Sequence, residues 1–92
     1  MNIVWSKTAT DTYLQIVDYI FEKWTDKEVE KFQKSVNKLL CQLEENRQLC
    51  PASKFLNYRK CVVSKQTSLI YSIHNHFISL ITFIDNRALH DF

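Results

Sequence analysis

Basic side chains are unevenly spread along this chain of 92 residues, whose formal net charge is only +2. Positions 54–65 hold four cations and no acid, and a further cation, Arg87, follows the last apolar run. If Arg59, Lys65 and Arg87 meet at one concave surface, their charges suit a phosphate or a carboxylate-rich partner. Local basicity, rather than net charge, is therefore the functional signal.

Metal and cofactor chemistry is not indicated. His74 and His76 could approach Cys50 or Cys61, but the spacing of these residues matches no established zinc pattern. The chain contains no glycine, which excludes glycine-rich phosphate loops and dinucleotide fingerprints. Its three cysteines are odd in number and lack C-x-x-C spacing, so we expect buried thiols rather than disulfides. We predict neither a metal nor a cofactor.

Two amphipathic helices precede the basic run. The first is predicted over 7–24 with Ser6 as its N-cap, and the second begins where Thr25 and Glu28 have capping-box spacing. Their apolar stripes consist of Ala9, Tyr13, Ile16, Val17, Ile20, Phe21 and Trp24 in the first helix, and of Val29, Phe32, Val36, Leu39, Leu40 and Leu43 in the second. The outward face of the second helix carries Lys27, Glu30, Lys31, Lys34 and Lys38. Both tryptophans, Trp5 and Trp24, are expected in the core.

The spacing of apolar residues is no longer helical after Pro51, which marks a loop. Three runs rich in β-branched and aromatic residues follow at 58–63, 68–74 and 77–84, separated by short polar breaks, and residues 2–5 form a further short strand. The element order is therefore β-α-α-β-β-β. We predict one α+β domain over residues 1–92, with an N-terminal helical hairpin packed on a small, mainly antiparallel sheet.

A strand register assigns each residue to a face of the sheet. We assume that Val63 pairs with Ser68 and that His74 pairs with Phe77. The face toward the helices then comprises Tyr58, Lys60, Val62, Leu69, Tyr71, Ile73, Ile78, Leu80, Thr82 and Ile84. The other face is mixed in polarity and comprises Arg59, Cys61, Val63, Ser68, Ile70, Ser72, His74, Phe77, Ser79, Ile81 and Phe83. A surface with this mixture commonly binds a partner, and Arg87 is expected at its rim.

The whole chain resembles the RelE/ParE superfamily of type II toxin–antitoxin toxins, which includes the plasmid-stabilisation proteins. The resemblance lies in the tryptophan–serine opening before the first helix, in Tyr71 of the middle strand and in the ending "FIDNR" after the last strand. It implies a growth-inhibiting toxin that is neutralised by a cognate antitoxin, whose C-terminal segment wraps the toxin. RelE-like members cut messenger RNA in the ribosomal A site, whereas ParE-like members poison DNA gyrase.

A nuclease of this kind needs cations for the developing phosphorane charge, together with an acid and a base. Arg59, Lys65 and Arg87 are the candidate cations, and His90 is the candidate proton-transfer group because its ordinary pKa lies near 6.5. RelE-like nucleases often place a tyrosine near the C-terminus, and this chain ends without a hydroxyl there. Glu44 or Glu45 could act as the base only if the end of the second helix reaches the site. The sequence therefore favours the gyrase mode over ribosome-dependent cleavage.

The antitoxin is expected on the mixed face. Its candidate contacts are Arg59, Ile70, Ser72, Ser79, Ile81, Phe83 and Arg87. A protein-interaction module without toxicity is the alternative of another class. No apolar stretch approaches the length of a membrane span and no basic region opens the chain, so we predict a cytoplasmic protein.

Overall fold

The computed structural model describes residues 2–88 and residue 92. The elements follow the predicted order: β1 (Asn2–Trp5), α1 (Lys7–Lys23), α2 (Asp26–Glu45), β2 (Tyr58–Val62), β3 (Thr67–Ile73) and β4 (Phe77–Asp85). The strands form one sheet in the order β1-β4-β3-β2, in which β1 runs parallel to β4 and the other pairs are antiparallel. None of the helices within the described part is long and apolar enough to cross a membrane.

Both helices begin where their capping residues predict. The hydroxyl of Ser6 accepts a hydrogen bond from the Ala9 amide at 2.9 Å, and the hydroxyl of Thr25 accepts one from the Glu28 amide at 3.3 Å. Each bond satisfies one amide of a first helical turn that has no partner within the helix. The local sequence therefore sets the start of both helices.

The helices cover one face of the sheet. From α2 the buried residues are Phe32, Val36, Leu39 and Leu43, while α1 contributes Ala9 and the partly buried Tyr13, Ile16, Val17 and Ile20. The prediction for the end of α1 was wrong, because the side chains of Phe21 and Trp24 are 62% and 61% exposed. Trp5 lies at the rim of the core, where its ring contacts those of Tyr13 and Phe83.

The assumed register between β2 and β3 was wrong by one residue. Ser68 pairs with Val62 rather than Val63, because the amides of Val63 and Ser64 both donate to the carbonyl of Thr67 and so draw Val63 into the turn. A slip of one residue moves every β2 side chain to the opposite face. Arg59 and Cys61 therefore lie on the helix side. The opposite, second face receives Tyr58, Lys60 and Val62.

The hairpin of β3 and β4 has the predicted register near its turn and loses it at a bulge. Tyr71 pairs with Leu80 but Ile70 pairs with Thr82, so Ile81 is an extra residue on β4. The bulge reverses the predicted faces of the residues beyond it. Phe83 therefore lies in the core, 3% exposed, whereas Thr82 and Ile84 lie on the second face.

Groups from the first helix hold the bulge. The amide and the hydroxyl of Ser6 donate to the carbonyls of Leu80 and Ile81, at 3.1 and 2.9 Å. The Phe83 amide donates to the hydroxyl of Thr12 at 3.0 Å. Backbone groups of the irregular segment are thus satisfied by residues more than 70 positions away in the chain.

Candidate functional site

The side chain of Arg59 has a structural role. It pairs with Tyr71 on the helix side of the sheet and is half-buried. Its Nη1 donates to the carbonyl oxygen of Cys50 at 2.6 Å. The guanidinium therefore anchors the loop between α2 and β2, and it does not lie on the second face as the sequence predicted.

A disulfide joins Cys50 of the same loop to Cys61 of β2. The expectation of free buried thiols was therefore wrong for these two residues, and Cys41 is free but exposed. The one-residue shift of β2 is what turns Cys61 toward the loop, since the assumed register placed it on the other face. The number of cysteines was misleading here, because three cysteines can form one disulfide and leave one free thiol.

Arg87 is paired within its own turn. Its Nε and Nη2 donate to the two carboxylate oxygens of Asp85 at 3.0 and 2.8 Å, and both side chains are exposed. The hydrogen bonds that Arg87 donates to Asp85, followed by the negative charge of that carboxylate, raise the pKa of Arg87 above its ordinary value. Tyr19 of α1 contributes to this rise in pKa, and the two residues line one recess at the helix side of the sheet.

Asn86 explains why the most hydrophobic strand ends in polar residues. Its amide donates to the carbonyl of Gln66 at 2.8 Å, and its Oδ1 accepts from the hydroxyl of Ser68 at 2.6 Å. Its Nδ2 donates to the carbonyl of Lys65 at 3.3 Å. Asn86 thus joins the end of β4 to the loop between β2 and β3.

The three candidate cations do not meet at one surface. Arg59 is paired with Tyr71, whereas Asp85 beside Arg87 is paired with Thr67, four residues away along β3, or roughly 13 Å at the usual rise of a strand. Lys65 does lie at the Arg87 end, in the loop that Asn86 holds. The remaining candidate, His90, lies outside the described residues.

The described chain forms a cleft at that end. Two adjoining recesses of about 340 and 240 Å³ share Ile20, Phe32, Ser64 and Gln66 as lining residues. The first is also lined by Trp24, Lys31 and Lys65, and the second by Tyr19, Asp85 and Arg87. We call these two recesses together the cleft. It combines an apolar floor with one exposed indole and three cations at its walls.

Sequence reasoning missed Tyr19, Trp24 and Lys31 as site residues. Trp24 fitted the apolar stripe of α1, but it is the C-cap residue of that helix and turns away from the core. Lys31 was assigned to a solvated helix face. The sequence did contain a signal that Trp24 is exposed. Trp24 directly precedes the N-cap of α2, and a residue in so short a connection between two helices has little access to the core.

The second face of the sheet is partly closed. Ile70 is fully buried there and Ser72 nearly so, while Ser79 and the bulged Ile81 are half-buried. The hydroxyl of Ser72 and Nε2 of His74 form a hydrogen bond of 2.9 Å, and His74 stacks on Phe77 with ring centroids 4.5 Å apart. Within the described ranges, no group of three histidine, cysteine or acidic side chains could hold a metal.

An aromatic cluster lies beside the β2 edge. Phe92 packs against Phe55 and Tyr58, with ring centroids 5.8 and 6.0 Å away. Phe55 and Tyr58 also contact each other at 5.9 Å. The final residue of the chain is thereby placed next to the strand that bears Arg59.

Solved structures share this architecture. The chromosomal ParDE toxin–antitoxin system of P. aeruginosa aligns with a TM-score of 0.78 at 12% identity, covering 92% of this chain and 95% of the other. The YoeB–YefM complex of Staphylococcus aureus gives 0.61 at 21% identity, with coverages of 91% and 94%. YafQ of E. coli strain BL21(DE3) gives 0.62 at 16% identity, covering 92% of each chain. At such identities the likeness establishes the fold alone.

The family follows from the sequence match. Among proteins of curated function, none matches the chain by sequence. The model of the family described as the ParE toxin of the type II toxin–antitoxin system parDE matches residues 3–88. This match over nearly the whole chain establishes that the protein belongs to the ParE family of type II toxin–antitoxin toxins, within the RelE/ParE superfamily.

Proposed function

We propose that this toxin arrests bacterial growth in the cytoplasm by a ParE-like action on DNA gyrase, without catalysing RNA cleavage, and that a cognate antitoxin neutralises it. The observation that carries the proposal is that the candidate catalytic arginines lie far apart on the sheet. Arg59 binds the Cys50 carbonyl at one end of the sheet, and Arg87 binds the Asp85 carboxylate at the other. The match to the ParE family model also supports it.

Metal-independent RNA cleavage would need a different arrangement. Donors that stabilise a phosphorane must be aimed at one phosphate before the reaction begins, since reorganising them during the reaction adds to the barrier. Here one guanidinium is half-buried on a carbonyl and the other already pairs with a carboxylate. Moving both to one phosphate would break contacts at both ends of the sheet. A partner that is bound rather than cleaved makes no such demand.

The cleft is the surface that best fits the antitoxin. An antitoxin segment that folds on binding gains most from an apolar floor, which Ile20 and Phe32 provide, and from cations that pair with its acids. Of the contacts predicted from sequence, only Arg87 lines this cleft. Ile70 and Phe83 are almost completely buried and offer little surface to a partner. We therefore move the proposed antitoxin contact from the second face to the cleft.

The test combines growth, gyrase and messenger RNA. Induced expression should arrest growth, co-expression of the antitoxin encoded beside the gene should restore it, and the purified chain should inhibit supercoiling by gyrase. His90→Ala should keep its toxicity, because the proposal gives His90 no proton to transfer. Messenger RNA cleaved at defined codons, with supercoiling intact and with toxicity lost in His90→Ala, would overturn the gyrase proposal.

Ribosome-dependent cleavage of messenger RNA is the second candidate. The observation that favours it is the presence of Lys65 and Arg87 at one end of the sheet, from which both could approach a phosphate. A protein-interaction module without toxicity is the third candidate. Undisturbed growth at high expression of the chain would favour that module over both toxic modes.

A further inference from the structure

Four lysines form a single row along α2. Lys27, Lys31, Lys34 and Lys38 follow one another at spacings of four, three and four residues, which keeps them on the same side of a helix. All four are exposed, and the opposite side of α2 carries the buried residues of the core. Lys27 and Lys38 are eleven positions apart, or about 16 Å at 1.5 Å per residue. We call these four residues the lysine row.

The lysine row works against the stability of its own helix. Like charges three or four residues apart repel one another, and the row contains three such neighbouring pairs. Only Lys34 has an ion-pair partner among the described residues, Glu30 at 3.1 Å. The other acids of α2, Asp26, Glu28, Glu44 and Glu45, lie in its first and last turns. Glu28 and Glu30 share a shallow recess with the four lysines, so the row keeps an excess of positive charge that suits an anionic partner.

The surroundings extend the row toward the cleft. Lys65, from the loop between β2 and β3, lines the same recess as Lys31. Glu28 is the only acid that lines this recess among the described residues. The positive surface therefore continues from the helix onto the neighbouring loop.

We propose that the lysine row binds the phosphodiester backbone of nucleic acid without regard to sequence, and that duplex DNA is its ligand. One strand of a DNA duplex advances 3.4 Å per phosphate, so about 16 Å of helix faces about five phosphates. Lysine ammonium groups act as flexible point charges and do not read base edges, which suits backbone contact. This goes beyond the proposed action on gyrase, because it assigns the toxin a nucleic-acid contact of its own.

Salt dependence gives the sharpest test. The anisotropy of a labelled 20-base-pair duplex of arbitrary sequence is titrated with the full chain at several salt concentrations. Neutralising four phosphates gives a slope of log K against log salt of about −3.6, from 0.9 per phosphate. Lys31→Gln with Lys38→Gln should bring the slope to about −1.8 and weaken binding at least tenfold near 0.1 M salt. A single-stranded RNA of equal charge is titrated in parallel.

The matched control removes two cations that lie outside α2. Lys54 lies in the loop before β2 and Lys60 on the second face, so Lys54→Gln with Lys60→Gln changes the net charge equally without touching the row. This control should keep the slope and affinity of the wild type. Equal losses in both double variants would reduce the effect to net charge and overturn the proposal.

Two further outcomes are decisive. If the RNA binds more tightly than the duplex, the row still contacts a phosphodiester backbone, but its ligand is RNA and the assignment of duplex DNA is overturned. Unchanged DNA affinity in Lys31→Gln with Lys38→Gln would overturn the proposal, whatever the effect on antitoxin binding, because Lys31 also lines the cleft. Thermal unfolding of Lys31→Gln with Lys38→Gln should match or exceed that of the wild type, because the two substitutions remove repulsion within α2. Growth arrest is not the readout, so the gyrase proposal stands or falls separately.

Discussion

The buried hydroxyl of Tyr71 donates a hydrogen bond to the carbonyl oxygen of Arg47, 2.8 Å away, and so ties the centre of the sheet to the loop that leaves α2. The same hydroxyl accepts from the Cys50 amide at 3.4 Å. One phenol therefore satisfies two backbone groups of a segment that has no regular structure to pair them. Tyr71 therefore stabilises the fold, and its hydroxyl points into the core rather than toward a binding partner.

Tyr71→Phe should lower the free energy of unfolding by about 1 to 3 kcal/mol, because it leaves the Arg47 carbonyl and the Cys50 amide without this partner. Urea unfolding followed by circular dichroism measures the change. Tyr19→Phe is the control, since Tyr19 is exposed and should change the midpoint little. Equal midpoints for the wild type and Tyr71→Phe would mean that water replaces the hydroxyl without cost.

The Tyr71 phenol also makes stability depend on alkaline pH. Burial raises its pKa above the ordinary value of 10.0, although the Cys50 amide and the charge of Arg59 oppose the rise. In the unfolded chain the phenol loses its proton first, so its contribution is complete below pH 10 and is lost as the pH rises through the folded pKa. Urea midpoints of the wild type should fall above pH 10, and those of Tyr71→Phe should fall less. Burial of Tyr13 raises its pKa too, so part of the decline should remain in the variant.

The disulfide should stabilise the fold by constraining the unfolded chain. Cys50 and Cys61 are separated by 11 residues in sequence, and a loop of this size corresponds to about 3 kcal/mol in the chain-entropy description. Cys50→Ser with Cys61→Ser should lower the unfolding free energy by about that amount. Cys41→Ser is the control, because that thiol is free and exposed. A reductant that lowers the wild-type midpoint should leave the double variant unaffected.

Substitution of Arg59 should affect stability, whereas substitution of Arg87 should affect antitoxin binding. Arg59→Gln removes the bond to the Cys50 carbonyl and should lower the thermal midpoint, whereas Arg87→Gln at an exposed pair should leave the midpoint close to that of the wild type. Arg87→Gln should instead weaken antitoxin binding several-fold, because Arg87 lines the cleft. Calorimetry and titration of the antitoxin measure the two effects. A loss of antitoxin affinity in Arg59→Gln alone, at unchanged stability, would move the contact to the other end of the sheet.

Trp24 should be the main apolar contact for the antitoxin. Trp24→Ala removes an exposed indole from the wall of the cleft and should weaken the complex at least tenfold, as expected for an aromatic residue that dominates an interface. Phe21→Ala is the matched control, since Phe21 is equally exposed on the same helix but lines neither recess. Its effect should stay below about threefold. Equal losses in both variants would argue for a contact along the whole outer face of α1.

The sequence by itself determined the elements and their order. Ser6 and Thr25 act on amides three residues away, and the apolar period of α2 describes one face of one segment. Interactions of this kind are local, so the residues that make them lie within a few positions of each other. The family resemblance followed from the same order and spacing, and the match over residues 3–88 confirmed it.

Only the tertiary structure decided which side chains share a surface. The turn at Thr67 shifted β2 by one residue, and the contacts of Ser6 and Thr12 with β4 fixed the bulge at Ile81. Each change inverted a face, because side chains alternate along a strand with a period of two. Arg59 and Cys61 were thereby turned to the helix side of the sheet, where Arg59 meets the Cys50 carbonyl and Cys61 bonds to Cys50. These outcomes depend on hydrogen bonds between distant parts of the chain, which no local pattern records.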